Sequence, residues 1–152
     1  MASPTTGFSV VSNFLYYTVI VSKSQKEISL NFYKQWQREK NICPAFNERV
    51  IISAKGWNHI VGNKNSKKRI WNDTYRRLKL LPHARDIINK STTIQNVKNQ
   101  NGKVYFALEA MRLIELKNGK EWRKVRVILE QDKKMKKVFL SVMDKKQDES
   151  RK

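Results

Sequence analysis

Lys103-Val104-Tyr105-Phe106-Ala107-Leu108-Glu109, Lys124-Val125-Arg126-Val127-Ile128-Leu129 and Lys137-Val138-Phe139-Leu140-Ser141-Val142-Met143 carry the pattern that decides the fold. Apolar side chains recur at every second residue, the repeat of a strand whose successive side chains point to opposite faces. Extended in both directions, the spacing predicts four strands: Thr93 to Val97, Lys103 to Glu115, Trp122 to Gln131 and Lys137 to Met143. The segments between them, Asn99-Gln100-Asn101-Gly102, Asn118-Gly119 and Asp132 to Lys136, have hairpin length and turn residues, so sequential neighbours pair antiparallel as a meander.

N-terminal to the meander the period lengthens. Ser24 to Lys40 reads as a helix capped by Ser24 with Glu27 three residues on, and Ile28, Phe32 and Trp36 with Leu30 and Tyr33 form its apolar stripe. Glu48 to Ser53 is short and strand-like, and Trp57 to Gly62 is a helical turn or two. Ser66 caps a longer helix that buries Trp71, Tyr75 and Leu78, Pro82 breaks it, and His83 to Asn89 is a brief helix. Helices first and a meander afterwards predict an α+β fold, with the N-terminal helices packed on one face of a four-stranded antiparallel meander. Residues 1–47 read as a partly helical extension that either packs on the domain or delivers it, 48–144 as the domain, and 145–152 as a charged tail. Phe14 to Val21 reads equally as strand or helix; its eight residues fall short of the roughly 20 that span a bilayer. Met1 to Ser12 lacks the cationic start of a signal peptide.

Lys and Arg number 32 against 13 Asp and Glu in 152 residues, a formal charge of +19. Folding requires no such imbalance, and its self-repulsion points to a polyanionic partner. The cations are spread over helices and strands rather than along one amphipathic helix, which favours nucleic acid over a membrane surface. An acidic protein that mimics nucleic acid is compatible with the same charge. Cys43 stands alone and there are two histidines, without CxxC, HxH or HExxH spacing, so soft ligands build no zinc site. The expected chemistry uses no cofactor, although counting leaves room for a carboxylate-held magnesium.

Strand parity sorts the meander into two faces. Ile94, Val104, Phe106, Leu108, Val125, Val127, Leu129, Val138, Leu140 and Val142 face the helices. On the other face fall Thr93, Gln95, Tyr105, Ala107, Glu109, Lys124, Arg126, Ile128, Phe139, Ser141 and Met143. Polar and aromatic side chains together suit a surface that holds bases as well as phosphates.

Cleaving RNA without a metal needs a base for the 2′-hydroxyl proton, an acid for the leaving 5′-oxygen, and cations for the charge on phosphorus. His59, whose type titrates near pH about 6.5, is the first candidate for proton transfer. Arg126 is the best-placed cation and Lys55 a second; Glu109 is either a base or the partner that orients Arg126. Ser141, Thr93, Gln95 and Tyr105 can donate hydrogen bonds to phosphate or base, and Lys67, Lys68, Arg69, Arg76 and Arg77 can grip the backbone of RNA. Each has a plainer reading. His59 is a structural histidine as readily as a catalyst, His83 after Pro82 is a helix-start or packing residue rather than a catalyst, Arg126 and Glu109 are an ordinary cross-strand ion pair, Ser141 is a polar residue facing water, and Lys67-Lys68-Arg69 is a solvated helix start.

The succession of Gly56-Trp57-Asn58-His59-Ile60, Leu80-Leu81-Pro82-His83-Ala84, Lys124-Val125-Arg126-Val127 and Phe139-Leu140-Ser141-Val142 resembles the barnase, EndoU, colicin D and RelE-like nucleases, most of all the phage-type and polymorphic-toxin members. The likeness covers about Val50 to Asp144 and lies in the pattern rather than in one long motif. It implies a barnase- or RelE-like fold, with His59 and Lys55 supplied by the helical part and Arg126, Ser141 and Thr93 by the sheet. It further implies a toxin-like endoribonuclease acting on tRNA or mRNA in the cytoplasm, delivered from another cell or a phage and held in check by an acidic immunity or antitoxin protein. The runner-up is a non-catalytic nucleic-acid-binding module, and a third reading is a regulatory protein docking on an acidic partner.

Overall fold

The computed structural model describes residues 25–62 and 71–146. Lys67, Lys68, Arg69, the Ser66 cap, the Phe14 to Val21 run and the end of the charged tail lie outside the described residues. The chain runs from helix α1 (25–37) into strands β1 (Ile42–Cys43) and β2 (Glu48–Ile51), then helices α2 (Ala54–Val61), α3 (Trp71–Lys79) and α4 (Leu81–Lys90). Strands β3 (Asn96–Gln100), β4 (Lys103–Leu116), β5 (Gly119–Gln131) and β6 (Lys137–Lys146) follow. The fold is α+β, as the change of period implies, but the sheet has six strands among the described residues, in the order β1-β2-β6-β5-β4-β3. The expected meander is its β3 to β6 part. The expectation of a four-stranded sheet fails because the hairpin of β1 and β2 joins it beside β6, where Val50 and Ile51 pair parallel with Lys137 and Val138.

The turns follow local chemistry. Asn101 and Gly102 have φ of 53° and 76°, both positive as a two-residue hairpin turn matching strand twist requires. The Asp132 carboxylate accepts from the Lys134 and Lys136 amides, fixing the loop from β5 to β6. Ser53 caps α2 by accepting from the Lys55 amide, and Pro82 sits in the first turn of α4, where a missing N–H costs nothing. Asn41, left-handed at φ 51°, donates to the Trp36 carbonyl at 2.8 Å and closes the end of α1.

Of the two readings of the N-terminal extension, residues 25–47 follow the one in which it packs on the domain. Tyr33 and Trp36 are buried with Val125, Leu129 and Phe139 in one core, and the Trp36 and Phe139 rings lie 4.9 Å apart. The buried row of α1 is Ser29, Tyr33 and Trp36, with Ile28 left exposed, so the stripe expected from Ile28 and Phe32 is rotated. In α3 the buried residues are Thr74 and Leu78, while Trp71 is exposed.

The largest departure from parity is in β6. Val127 pairs with Val142 and Ile128 with Ser141, but Leu129 pairs with Phe139, so Leu140 is an extra residue at a bulge. The extra residue reverses the faces of everything before it. Phe139 turns into the core, fully buried, whereas Leu140 comes out beside Ile128 and Tyr105 on the opposite face. The assignment of Phe139 to the outer face, and of Val138 and Leu140 to the helix side, is therefore corrected.

Beyond its short pairing with β2, β6 has an edge that helices cover. Gly56 brings α2 so close that a Cβ there would lie 2.8 Å from the Phe139 carbonyl oxygen and 2.6 Å from the Tyr33 hydroxyl. Farther along, Arg77 donates to the Val142 carbonyl at 3.3 Å. Covering an edge in this way blocks pairing with a stray strand.

Candidate functional site

The outer face of the sheet is built by cross-strand rows. Reading along β5, Glu130, Ile128, Arg126, Lys124 and Trp122 stand opposite Tyr105, Ala107, Glu109, Met111 and Leu113 of β4. On the other side, Met143 and Lys145 of β6 stand opposite Arg126 and Lys124. Since Val125, Val127 and Leu129 are buried against the helices, these alternate residues face away from them.

Two hollows open on this face and meet at Arg126. The first, about 560 Å³, runs from Arg126, Glu109, Lys124 and Met143 over the edge of β6 to Asp73, Arg76, Arg77, Asp144 and Lys145. Its five cations outnumber its three carboxylates, so an anion entering it meets net positive charge. The second, about 340 Å³, lies between β3, β4 and β6, and is lined by Lys98, Gln100, Tyr105, Ile128 and Leu140 together with Arg126. Cation, amide, phenol and aliphatic groups line this half.

Arg126 donates to Glu109 Oε1 through Nη2 at 2.6 Å and Nε at 3.1 Å, and Lys124 approaches Glu109 Oε2 at 3.4 Å. Burial raises the Glu109 pKa, but the hydrogen bond and charge of Arg126, with Lys124, outweigh it and hold the carboxyl below its ordinary value. A carboxylate with a lowered pKa is a weak base, so of the two readings of Glu109 the geometry favours the partner that orients Arg126. The arginine side chain keeps 41% of its surface exposed and remains open to a ligand.

Lys55, at the start of α2, reaches Glu130 on the outer face at 2.8 Å, and Lys103 approaches the same carboxylate at 3.3 Å. Burial disfavours the charged carboxylate, yet these two amines lower the Glu130 pKa overall. His59 is exposed and one helical turn beyond Lys55, on the same stripe of α2. It lines neither hollow, so His59 and Arg126 are not brought into one cleft.

Ser141 is corrected more sharply. It is 2% exposed and accepts from Arg77 Nη1 at 2.8 Å, so its hydroxyl serves the contact between α3 and β6 rather than an open face. Arg77 also holds Asp73 at 3.2 Å, and Arg76 holds Asp144 at 2.8 Å, a carboxylate shared with Arg123. These arginines line the first hollow while anchoring α3 to the end of the sheet. Thr93 and Gln95 precede β3 rather than lying in it, and both are exposed, with Gln95 Nε2 donating to Thr93 Oγ1 at 3.1 Å. Tyr105 takes the expected place on the outer face.

His83 Nδ1 accepts from Arg112 Nε at 3.1 Å, and Arg112 in turn meets Asp86 at 2.9 Å. Burial, and then the Arg112 charge, push the imidazole below its ordinary pKa against the pull of Asp86. It is a neutral acceptor between helix and sheet. Burial pushes the Cys43 thiol up, which makes it a poor nucleophile. Sequence reasoning missed Lys98 and Lys145 as hollow-lining cations and the row of Met111, Leu113 and Trp122. Carrying the alternation of β5 back to Trp122 was the signal that could have found that row.

Among the described residues no three His, Cys, Asp or Glu side chains form a metal-holding group, and no helix is long and apolar enough to cross a membrane. No protein-family model, curated protein or solved structure matches the chain.

Proposed function

We propose that the protein is a metal-independent endoribonuclease of the barnase, EndoU, colicin D and RelE-like kind, which cuts RNA by transesterification on the outer face of its sheet. The observation that carries this reading is the meeting of two hollows at an exposed arginine on a chain of charge +19. An RNA strand lies along both, with a phosphate on Arg126. The 2′-oxygen attacks phosphorus, its proton passes to a base, the bond from phosphorus to the 5′-oxygen breaks, and that oxygen takes a proton. The products are a 2′,3′-cyclic phosphate and a 5′-hydroxyl. Arg126, held by Glu109, stabilises the charge on the phosphorane oxygens. Lys55, anchored by Glu130, adds a cation at the margin of this face, and His59, one helical turn on from it and outside both hollows, is the proton-transfer candidate that His59→Ala tests. A substrate of tRNA or mRNA and a neutralising acidic protein belong to the same proposal.

A second reading is a module that binds RNA and leaves it intact. It is favoured by the absence of His59 from both hollows and by the low basicity of Glu109. Total RNA incubated with the protein in EDTA and run on a gel separates the two. Fragments that vanish with His59→Ala, in a variant that still retains RNA on a filter, support the nuclease; intact RNA with steeply salt-dependent retention supports the module.

A further inference from the structure

Trp122 is 59% exposed, a large apolar surface, and its neighbours Leu113 and Met111 are 41% and 40% exposed. Leu113 stands directly opposite Trp122, and Met111 opposite Lys124. All three therefore lie on the same face as Arg126 and Lys124. The order along β5 is Arg126, Lys124, Trp122, each two residues from the next, so the indole sits about 13–14 Å along the strand from the arginine. An exposed apolar patch beside a cationic row is suited to a ligand whose charged backbone and flat apolar groups alternate. Extended single-stranded nucleic acid has that alternation. A duplex does not, because its bases are stacked inside and their faces are unavailable.

We propose that Trp122, bedded by Leu113 and Met111, is a stacking platform for an unpaired base whose neighbouring phosphates lie on Lys124 and Arg126. The inference rests on the nucleic-acid reading of the outer face and adds to it the ligand form, single-stranded, and a subsite at the far end of the β4–β5 hairpin. Tyr105 lies a similar distance from Arg126 in the other direction, two rows away on β4, so the cationic centre is flanked by an aromatic ring at each end. The cations of this face argue against an anionic partner of another kind only through the rings: a purely electrostatic docking surface gains nothing from an exposed indole.

The test is fluorescence anisotropy of the full chain with a labelled single-stranded oligonucleotide carrying 2′-O-methyl groups, which cannot be cut by transesterification. Trp122→Ala weakens binding about tenfold or more, Trp122→Phe keeps most of it, and a duplex of the same sequence shows no difference between wild type and Trp122→Ala. Tiling an abasic site along the oligonucleotide finds one position where the loss caused by Trp122→Ala disappears. Equal binding of the single strand by wild type and Trp122→Ala overturns the platform while leaving the basic face intact. A loss that persists at every abasic position overturns it in favour of an apolar contact with another partner. No binding of the single strand by wild type overturns the platform and the nucleic-acid reading together. Trp122 is 59% exposed, and an unchanged thermal melting temperature for Trp122→Ala shows that binding, not folding, is being read.

Discussion

Replacing Gly56 by alanine tests the seat of α2, on which the position of Lys55 and His59 depends. In an unobstructed helix the change stabilises, by about 0.5–1 kcal/mol, because alanine loses less backbone freedom on folding. Here the added Cβ lies 2.6 Å from the Tyr33 hydroxyl, 2.7 Å from a ring carbon of Phe139 and 2.8 Å from the Phe139 carbonyl oxygen. Tyr33 is held by its 2.6 Å bond to the Ser53 carbonyl, and the carbonyl of Phe139 belongs to a strand, so neither moves aside easily. Overpacking of this sort costs about 1–3 kcal/mol, and with three contacts the upper end applies. The net expectation is a loss of about 2 kcal/mol, or roughly 4–8 °C in melting temperature for a chain of this size. Urea denaturation followed by tryptophan fluorescence measures it. A Gly56→Ala protein as stable as wild type, or more so, refutes the close seating of α2 on β6.

Trp36→Ala costs about 3–5 kcal/mol in the same assay if residues 25–47 are part of the core, and under about 1 kcal/mol if they are a detachable extension. Glu109, Glu130 and Asp86 all have carboxyls held below their ordinary pKa by cations, so the unfolded chain takes up protons first as the pH falls. Stability is full above about pH 5 and declines as the pH drops through the folded values, and Glu109→Gln makes that decline shallower in acid denaturation curves. His83, whose pKa is lowered on folding, contributes stability present above about pH 6.5 and lost as the pH falls through its folded value. Urea midpoints at pH 7.5 and 5.5 therefore differ more in wild type than in His83→Gln. Arg126→Ala lowers RNA cleavage by about 10²–10³ if its guanidinium meets the developing charge on phosphorus, measured as single-turnover rates.

Strands β4 and β5 were legible because each has one buried face, so alternation in Val104 to Leu108 and Val125 to Leu129 reports directly on which side the core lies, whereas β3, exposed along its whole length, carries no such signal. Arg126 and Glu109 could be placed on the outer face, and opposite each other, for the same reason. Parity fails at a bulge, and nothing in Phe139-Leu140-Ser141 announces that Leu140 is the extra residue; Val138, Phe139 and Leu140 then change faces, whereas Ser141 stays opposite Ile128 and is covered by Arg77. The β1–β2 hairpin was hidden because its place beside β6 is set by contacts across nearly ninety residues of chain rather than by local pattern. The buried side of α1 is set by its contact with Phe139 of β6, which spacing within the helix does not report. His59 shows the limit for the site itself: the helix and its stripe follow from sequence, while the direction that stripe faces is a property of tertiary packing.

A DNA oligonucleotide containing a single ribonucleotide, incubated with the protein in EDTA, tests the ribonuclease proposal most directly. Cleavage 3′ to the ribonucleotide with a 2′,3′-cyclic phosphate end, absent for the all-deoxy strand and for His59→Ala, is the predicted result. An intact strand under conditions where the same protein binds it, or cutting that His59→Ala performs equally well, contradicts the account.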